Sequence, residues 1–549
     1  MVRQLIEEGV THLFALPGVQ LDWAFDPLVD AASSLRVVVP RHEQATSYMA
    51  DGYARVSGKV GTCMMVPGPG VLNALSGLAT AYACSSPVVC LAGQIRTTAI
   101  GKGWGLLHEV QGQPAALDAV TKWRALAREP GALPGLVHQA FIECRSGRPR
   151  PVAVEMPQDI LQDSAIAGPA SRESVPCTAP DQAAVDQAAA ALESASAPLI
   201  WAGSGVLSAD AGEALRLVAE KLGAPVVMTD TARGALSDRH PLALPGLAGR
   251  ALAPHADVIL VVGSRGMSVL GKPTPQAPQA RTIYINVDAA DTTPPRSAGL
   301  LLQGDARLAL LALGSSLKRQ SPAGGVSACK SVRAWCQQQI QLLQPQLSWL
   351  AALREAIPDD GILVNELTQV GYVAPFGYPV YGPRTFITPG YQGTLGYGFP
   401  TALGACLGAQ GRRVVSINGD GGFGWNLQEL ATAARYRIPL VIVVFRDEAF
   451  GNVRRMQLEA FNREIGTTLH NPDFVALARA FGVDALRLET PAALTAAIRE
   501  APGDAPLLIE VPVGVMPSPW PLIHPSAKNS VASPPDPFSL VRRSPSDRS

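Results

Sequence analysis

The sequence has no run of eighteen apolar residues, so a transmembrane helix is not expected. It also has no excess of charge: Lys plus Arg and Asp plus Glu both number 45, and a formal net charge of zero supplies no global field to draw nucleic acid or an anionic membrane. Neither is expected as a partner. The eight cysteines (63, 84, 90, 144, 177, 329, 336, 406) are scattered, with no C-x-x-C pair, and the opening MVRQLIEEGV carries no signal-peptide pattern. A reducing cytoplasm is the expected compartment. The same opening reads as a helix already under way, with no capping residue ahead of it, so a short preceding piece is expected to be missing. What is present is ample: 549 residues with 47% hydrophobic and 16% charged side chains imply a globular chain of two to four domains.

Short β-branched runs such as LRVVVP, SPVVCLAG, APLIWAG, DVILVVG, TIYINV, RRVVSIN and PLVIVVF alternate with Ala/Leu-rich helical stretches. Continuous apolar strands between helices predict parallel sheets covered on both faces, hence an α/β chain of three doubly wound parallel-sheet domains. The segments are placed at 1–163, 180–315 and 349–515. Lys318–Lys330, KRQSPAGGVSACK, reads as an exposed linker. The 516–549 tail, rich in Pro and Ser, is expected to be an extended arm that becomes disordered.

The chemistry concentrates in Ser416–Asn452, SINGDGGFGWNLQELATAARYRIPLVIVVFRDEAFGN. One buried strand ends at Asn418, a Gly-Asp-Gly-Gly turn follows, and a helix is expected to start near Asn426. The next strand ends at Phe445, ahead of Asp447. In a right-handed βαβ unit Asp420 and Asp447, 27 residues apart, both sit at carboxyl ends of parallel strands, the edge where open α/β sheets bind ligands. Converging hard oxygens beside a glycine turn suit Mg²⁺ and a diphosphate. Taken singly, G-D-G is more often a tight turn and Asp447 a helix cap.

These residues resemble the diphosphate signature of thiamine-diphosphate enzymes, which usually have Asn-Asn where this chain has Arg446-Asp447. Two further stretches, RHEQATSYMADGYARVSGKVGTCMMVPGPGVLNALSGLATAYACSSPVVCLAGQ and GYQGTLGYGFPTALGA, together with MPSPWP, are similar to the acetolactate synthase group. The resemblance covers nearly the whole chain. It implies a pyrimidine-binding domain first, a central domain, and a diphosphate-binding domain third.

The resemblance also assigns roles. Glu43 in RHEQA matches the glutamate that bonds the cofactor's pyrimidine and promotes its imino tautomer; on its own, a glutamate favoured at a helix start is the alternative. Leu395 matches the wedge that bends the cofactor, and the Gly393 carbonyl the acceptor of its amino group, with Thr394 between them; a leucine in a glycine-rich turn is otherwise simply core. Gly419, Asp420, Gly421, Gly422, Asp447, Ala449, Phe450 and Gly451 match the diphosphate-binding set, Asp420, Asp447 and Ala449 being the implied metal ligands. His108 stands where acetolactate synthases usually carry glutamine, and is a proton relay, a group that binds the substrate carboxylate, or a structural histidine. The Pro67–Gly70 turn and Asn73 approach the same site or serve as scaffold. Arg454 and Arg455 either attract an acid or stay solvated.

The implied cofactors are thiamine diphosphate and Mg²⁺. FAD is left open, since AGSGV (Ala202–Val206) and GSRG (Gly263–Gly266) are suitable glycine turns but no acidic run follows Arg265. The implied assembly is a homodimer or homotetramer with each site shared between chains. The implied activity is decarboxylation of a 2-oxo acid followed by carboligation, as in acetolactate synthase. Met456 replaces the family's tryptophan and Asn452 its methionine on the expected substrate wall, which keeps two alternatives: a simple decarboxylase for a larger or aromatic 2-oxo acid, and a pyruvate-oxidase-like flavoenzyme. A non-catalytic homologue is the remaining reading; Glu43, Asp420 and Leu395 retained together stand against it.

Overall fold

The computed structural model describes residues 1–165, 167–268, 272–273, 276–318, 324–524 and 536–538. Three parallel sheets with interleaved helices are present, as the alternating apolar runs predict. By contacts the chain forms two compact units. The first comprises Met1–Pro176, Gly361–Thr368 and Pro389–Gly514; the second comprises Cys177–Asp360, Gln369–Thr388 and the chain from Val515 on.

In the first unit, β1 (His12–Ala15), β2 (Arg36–Val38), β3 (Gly61–Met65), β4 (Val88–Gln94), β5 (Arg124–Leu126) and β6 (Val152–Pro157) lie in the order β2-β1-β3-β4-β6-β5. Every residue of β3, β4 and β6 is buried, as helices on both faces require. The chain passes from β1 outward to β2 and returns to β3 on the other side, so the winding reverses between β1 and β3. Their carboxyl ends lead into the Leu16–Gln20 and Val66–Gly70 loops, which touch: a Cβ on Gly18 would lie 2.4 Å from Val66 Cγ1.

In the second unit, β7 (Pro198–Ala202), β8 (Val226–Met228), β9 (Ala243–Pro245), β10 (Val258–Val262), β11 (Arg281–Asn286) and β12 (Gly299–Gln303) lie in the order β12-β11-β10-β7-β8-β9. The remaining strands are β13 (Ile362–Asn365), β14 (Phe386–Ile387), β15 (Val414–Gly419), β16 (Leu440–Arg446), β17 (Asp484–Arg487) and β18 (Leu507–Pro512). In the first unit β13, β15, β16, β18 and β17 stand side by side, all parallel, with Val414 opposite Leu440 and Gly419 opposite Phe445.

Two helices join the sheets of the first unit. The Glu43–Ser57 helix is capped by the His42 side chain, which accepts from Gln44 N, and ends at Gly58 in the left-handed region. It packs on the Gly398–Gly408 helix backbone to backbone: a Cβ on Gly52 would lie 2.0 Å from Thr401 O, and one on Gly404 1.9 Å from Met49 O. Only glycine permits that approach.

Several expectations need correction. The Gly-Asp-Gly-Gly stretch is itself a helical turn, Asp420–Phe423, while the helix expected near Asn426 is present as a 3₁₀ turn at Leu427–Glu429 leading into Leu430–Arg435. The expected linker is helical from Gly324, because Ala328, Cys329 and Val332 bury one face of helix Gly324–Ile340; 319–323 lie outside the described residues. In the tail, Trp520–Ile523 is helical and Phe538 is buried, while 525–535 and 539–549 lie outside the described residues. The opening does form a helix, Val2–Glu7. No helix among the described residues is long and apolar enough to cross a membrane.

Candidate active site

Two groups of residues form at strand ends of the first unit. Glu43, the first residue of its helix, is oriented by Asn73, whose Nδ2 donates to Glu43 Oε2 at 3.0 Å. Asn73 lies on the helix Pro69–Cys84, which leaves the Val66–Gly70 loop at the end of β3. A Cβ on Gly70 would come within 3.5 Å of Glu43 Oε1, and one on Gly68 within 2.2 Å of the His108 carbonyl. The Pro67–Gly70 turn therefore touches both predicted groups, Glu43 and His108.

His108 is held in a strained form. Its φ is +65°, in the left-handed region that side chains avoid. Its Nδ1 lies 3.0 Å from Oε1 of buried Gln20, and Gln20 Nε2 donates to the Leu107 carbonyl at 3.2 Å. Gln20 ends the loop that follows β1, so these bonds tie that loop to the segment carrying His108.

The second group forms around Asp420, which is 2% exposed. Its Oδ1 accepts from Gly421 N at 3.0 Å; its Oδ2 accepts from Glu448 N at 2.8 Å and Asn471 Nδ2 at 2.6 Å. The residue before Glu448 is Asp447, so the ends of β15 and β16 converge as the spacing predicts. Asp447 Oδ1 accepts from Ala449 N at 3.4 Å, and a Cβ on Gly451 would sit 2.8 Å from Asp447 Oδ2. Thr467–Asn471 pins this segment: Phe450 N donates to Thr467 O at 2.8 Å and Leu469 N to Glu448 O at 2.8 Å. Arg446, where the family has asparagine, is ion-paired to buried Glu510 and to Glu448.

Among the described residues no three His, Cys, Asp or Glu side chains gather as a metal cluster. Two carboxylates and a backbone carbonyl still suit Mg²⁺, which takes few carboxylates and completes its octahedron with water and phosphate oxygens. A carboxylate has about four lone-pair sites, and Asp420 uses three of them, which leaves one for a cation. The donor set therefore fits the ion.

The Gly393–Gly396 loop lies beside these groups. Gly393 and Gly396 have φ of +56° and +79°, and Leu395 between them is 41% exposed. The Thr394 hydroxyl is 3.1 Å from that of Thr80. Asn426 Nδ2 donates to Gly396 O at 2.6 Å, while its Oδ1 accepts from Gln44 Nε2 at 2.8 Å. Buried Glu429 accepts from Arg41 N through both oxygens, at 3.1 and 3.0 Å. The start of the Glu43 helix is thus tied to residues 426–429. No hydrogen bond links Glu43 or His108 directly to Asp420 or Asp447 among the described residues.

Glu366, which nothing in the sequence marked, follows β13 and lies between the two glycine segments. Its Oε1 accepts from Gly396 N at 2.9 Å, and a Cβ on Gly422 would fall 2.0 Å from that same oxygen. A side chain at Gly422 would have to displace that carboxyl, and one at Gly421 would press on the Phe450 ring at 2.9 Å. Glu366 Oε2 is buried without a hydrogen-bond partner. Burial pushes the carboxyl up to about 8, against the pull of the Gly396 and Gly398 amides.

The remaining predicted residues are accounted for locally. Arg454 pairs with Glu464 and Arg455 with Glu459, so neither is simply solvated. Met456 is 54% exposed on the helix Gly451–Phe461. In the central sheet, the Ala202–Val206 and Gly263–Gly266 turns pack on each other: a Cβ on Gly203 would lie 2.3 Å from Gly263 O, and one on Gly205 2.6 Å from Gly263 Cα. Mutual backbone contact accounts for these three glycines without a flavin.

Three family profiles match: the N-terminal TPP binding domain of thiamine pyrophosphate enzymes at residues 1–119, the central domain at 185–313 and the C-terminal TPP binding domain at 368–511. The chain is 34% identical over 500 residues to a probable 2-ketoarginine decarboxylase of Pseudomonas aeruginosa, covering 88% of this chain and 87% of that protein. It is 32% identical over 563 residues to the acetolactate synthase of Mycobacterium bovis, covering 96% and 90%. A probable acetolactate synthase large subunit of Methanocaldococcus jannaschii is 33% identical over 540 residues, covering 91% and 89%.

Proposed function

Because the chain belongs to the thiamine pyrophosphate enzymes, we propose that it uses thiamine diphosphate and Mg²⁺ to decarboxylate a 2-oxo acid and join the remaining carbon unit to a second carbonyl, as acetolactate synthases do. The observation that carries this reading is the convergence of Asp420 on the Asp447–Ala449 segment, 2.8 Å from Glu448 N, in a chain that also holds Glu43 by Asn73.

When bound, thiamine diphosphate supplies an electron sink for the pair of electrons released as CO₂ leaves a 2-oxo acid. Asp420, Asp447 and the Ala449 carbonyl are the groups to hold Mg²⁺, with the Gly419–Gly422 and Ala449–Gly451 backbone around the diphosphate. Glu43, its carboxyl oriented by Asn73, is the group to bond the pyrimidine. Leu395, standing out from its loop, is the wedge, with the Gly393 carbonyl and Thr394 beside it. His108 is the group to move a proton at the substrate.

A homodimer or homotetramer is part of this reading, with Glu43 from one chain completing a site with Asp420 and Asp447 of another. Large apolar side chains exposed near these residues, among them Trp425, Val453, Met456 and Phe461, support it. Free cysteines throughout the described chain support a cytoplasmic location. FAD in the central domain stays a subsidiary proposal: a yellow protein that bleaches on substrate addition supports a pyruvate-oxidase-like reaction, and a colourless one removes it.

A second reading, simple decarboxylation of a larger 2-oxo acid, is favoured by His108, a group able to deliver a proton, and by the 2-ketoarginine decarboxylase among the relatives. One experiment separates the two. Purified protein given both cofactors and a panel of 2-oxo acids, from pyruvate to aromatic and guanidinium-bearing ones, is assayed for CO₂ and for product mass. A carbon-joined product from pyruvate is the expected result, and an aldehyde from a larger acid transfers the assignment to a decarboxylase. Absence of CO₂ from every acid, with cofactor bound, removes both.

A further inference from the structure

We infer that Gln20 is a positioning residue that locks the neutral His108 ring with its proton on Nδ1, so that Nε2 is the one ring atom that exchanges a proton with substrate. The argument needs only donors and acceptors. A carbonyl oxygen can only accept, so the Gln20 amide must turn its NH₂ toward Leu107 O, 3.2 Å away. Its other atom, Oε1, then faces His108 Nδ1 at 3.0 Å. An amide oxygen also only accepts, so Nδ1 carries the hydrogen and Nε2 carries the lone pair.

The backbone gives this bond a fixed frame. Gln20 is 4% exposed, and it ends the loop that follows β1. His108 is held at φ +65° with its carbonyl against Gly68, where no side chain fits. Glu109 closes the same loop, accepting from Gly103 N at 3.0 Å and Leu106 N at 2.9 Å. Strain at this residue is thus maintained by three separate contacts, which is the pattern expected where a side chain has to be aimed.

The consequence for chemistry rests on the decarboxylation reading above. Protonated at both nitrogens, His108 gives its Nε2 hydrogen to the carbon or oxygen that needs it and is left neutral, with hydrogen on Nδ1. That neutral form is the one Gln20 selects, so the ring returns to its resting tautomer without an internal proton shift. A proton taken up from solvent then restores the Nε2 hydrogen; it is the one proton that decarboxylation of a 2-oxo acid anion consumes, so the cycle balances.

The test uses the full chain labelled with ¹⁵N in its histidine rings, first without cofactor, by solid-state NMR, with the His108 signals assigned by their loss in His108→Asn. The expected spectrum shows neutral His108 protonated at Nδ1; protonation at Nε2 overturns the inference, and this reading needs neither Gln20 variant. Gln20→Leu should move the population toward the Nε2–H form, and Gln20→Glu, whose carboxylate also only accepts, should restore Nδ1–H. With cofactors and a substrate found by the panel, Gln20→Leu should lower kcat by about tenfold, the low end of an acid–base contribution, with cofactor affinity unchanged. An Nδ1–H spectrum in a protein that releases no CO₂ removes the function and leaves the tautomer standing; turnover with an Nε2–H ring does the reverse.

Discussion

Glu43 and Asn73 show how much one hydrogen bond decides. A carboxyl held at 3.0 Å by an amide donor keeps one oxygen occupied and presents the other, so its direction is set before any cofactor arrives. Glu43→Gln keeps the shape and removes the acid, so turnover should fall at least about tenfold to a hundredfold with thiamine diphosphate affinity largely kept. Parallel kcat measurement and cofactor titration check this, and unchanged turnover removes the role given to Glu43. Glu366 gives a second prediction at this scale. Its folded carboxyl titrates at about 8, above the ordinary 4.5. Between those values the folded chain keeps a proton that the unfolded chain has released, so its contribution to stability is full below about 4.5 and is lost as pH rises through about 8. Glu366→Gln should therefore flatten the fall of the cofactor-free unfolding midpoint across that interval, measured by thermal melts at a series of pH values; an unaltered slope contradicts a buried acid held neutral.

At the scale of elements, the site is a matter of which strand ends meet. The sequence could be read for β15 and β16 because each is an unbroken apolar run that stops at a glycine turn or an acid, and a period of that kind is local. Asp420 and Asp447 were legible for the same reason. Partners brought by tertiary packing were not: Gln20 and His108 are 88 residues apart, and Asn471 lies 51 residues beyond Asp420. Glu366 carried no signal at all, because a glutamate after a strand reads as solvated until the glycines that close over it are placed. The start of helix at Asp420 was missed because Gly-Asp-Gly-Gly has low helix propensity, and packing against Glu366 and Phe450 overrides it. The glycine contact between helices Glu43–Ser57 and Gly398–Gly408 makes a prediction of its own. A methyl group at Gly404 would lie 1.9 Å from Met49 O, which is backbone and cannot swing away. Gly404→Ala should destabilise the chain by about 1–3 kcal/mol, the range for forced overpacking, in urea unfolding. Gly503→Ala, where nothing lies within 4 Å, is the control and should change little.

At the scale of the whole molecule, a leucine, a tryptophan and a phenylalanine stand exposed close in sequence to buried site residues. Leu395 is 41% exposed, Trp425 55% and Phe461 71%, whereas β16 is buried from Leu440 to Phe445. Exposed apolar side chains clustered near polar site groups mark a surface that meets another surface, and in the proposed assembly that surface is a second copy. The reading has a strict arithmetic consequence. A Glu43→Gln chain has an intact Asp420/Asp447 group, and an Asp447→Ala chain, expected to bind Mg²⁺ and diphosphate weakly, has an intact Glu43. If each site is shared, a mixed dimer has one site carrying both defects and one carrying neither. Unfolding and refolding the two variants together in equal amounts makes half the dimers mixed, so activity should return to about a quarter of that of the unsubstituted protein. If each site lies within a single chain, no combination contains an intact site, and the mixture stays as inactive as its parents.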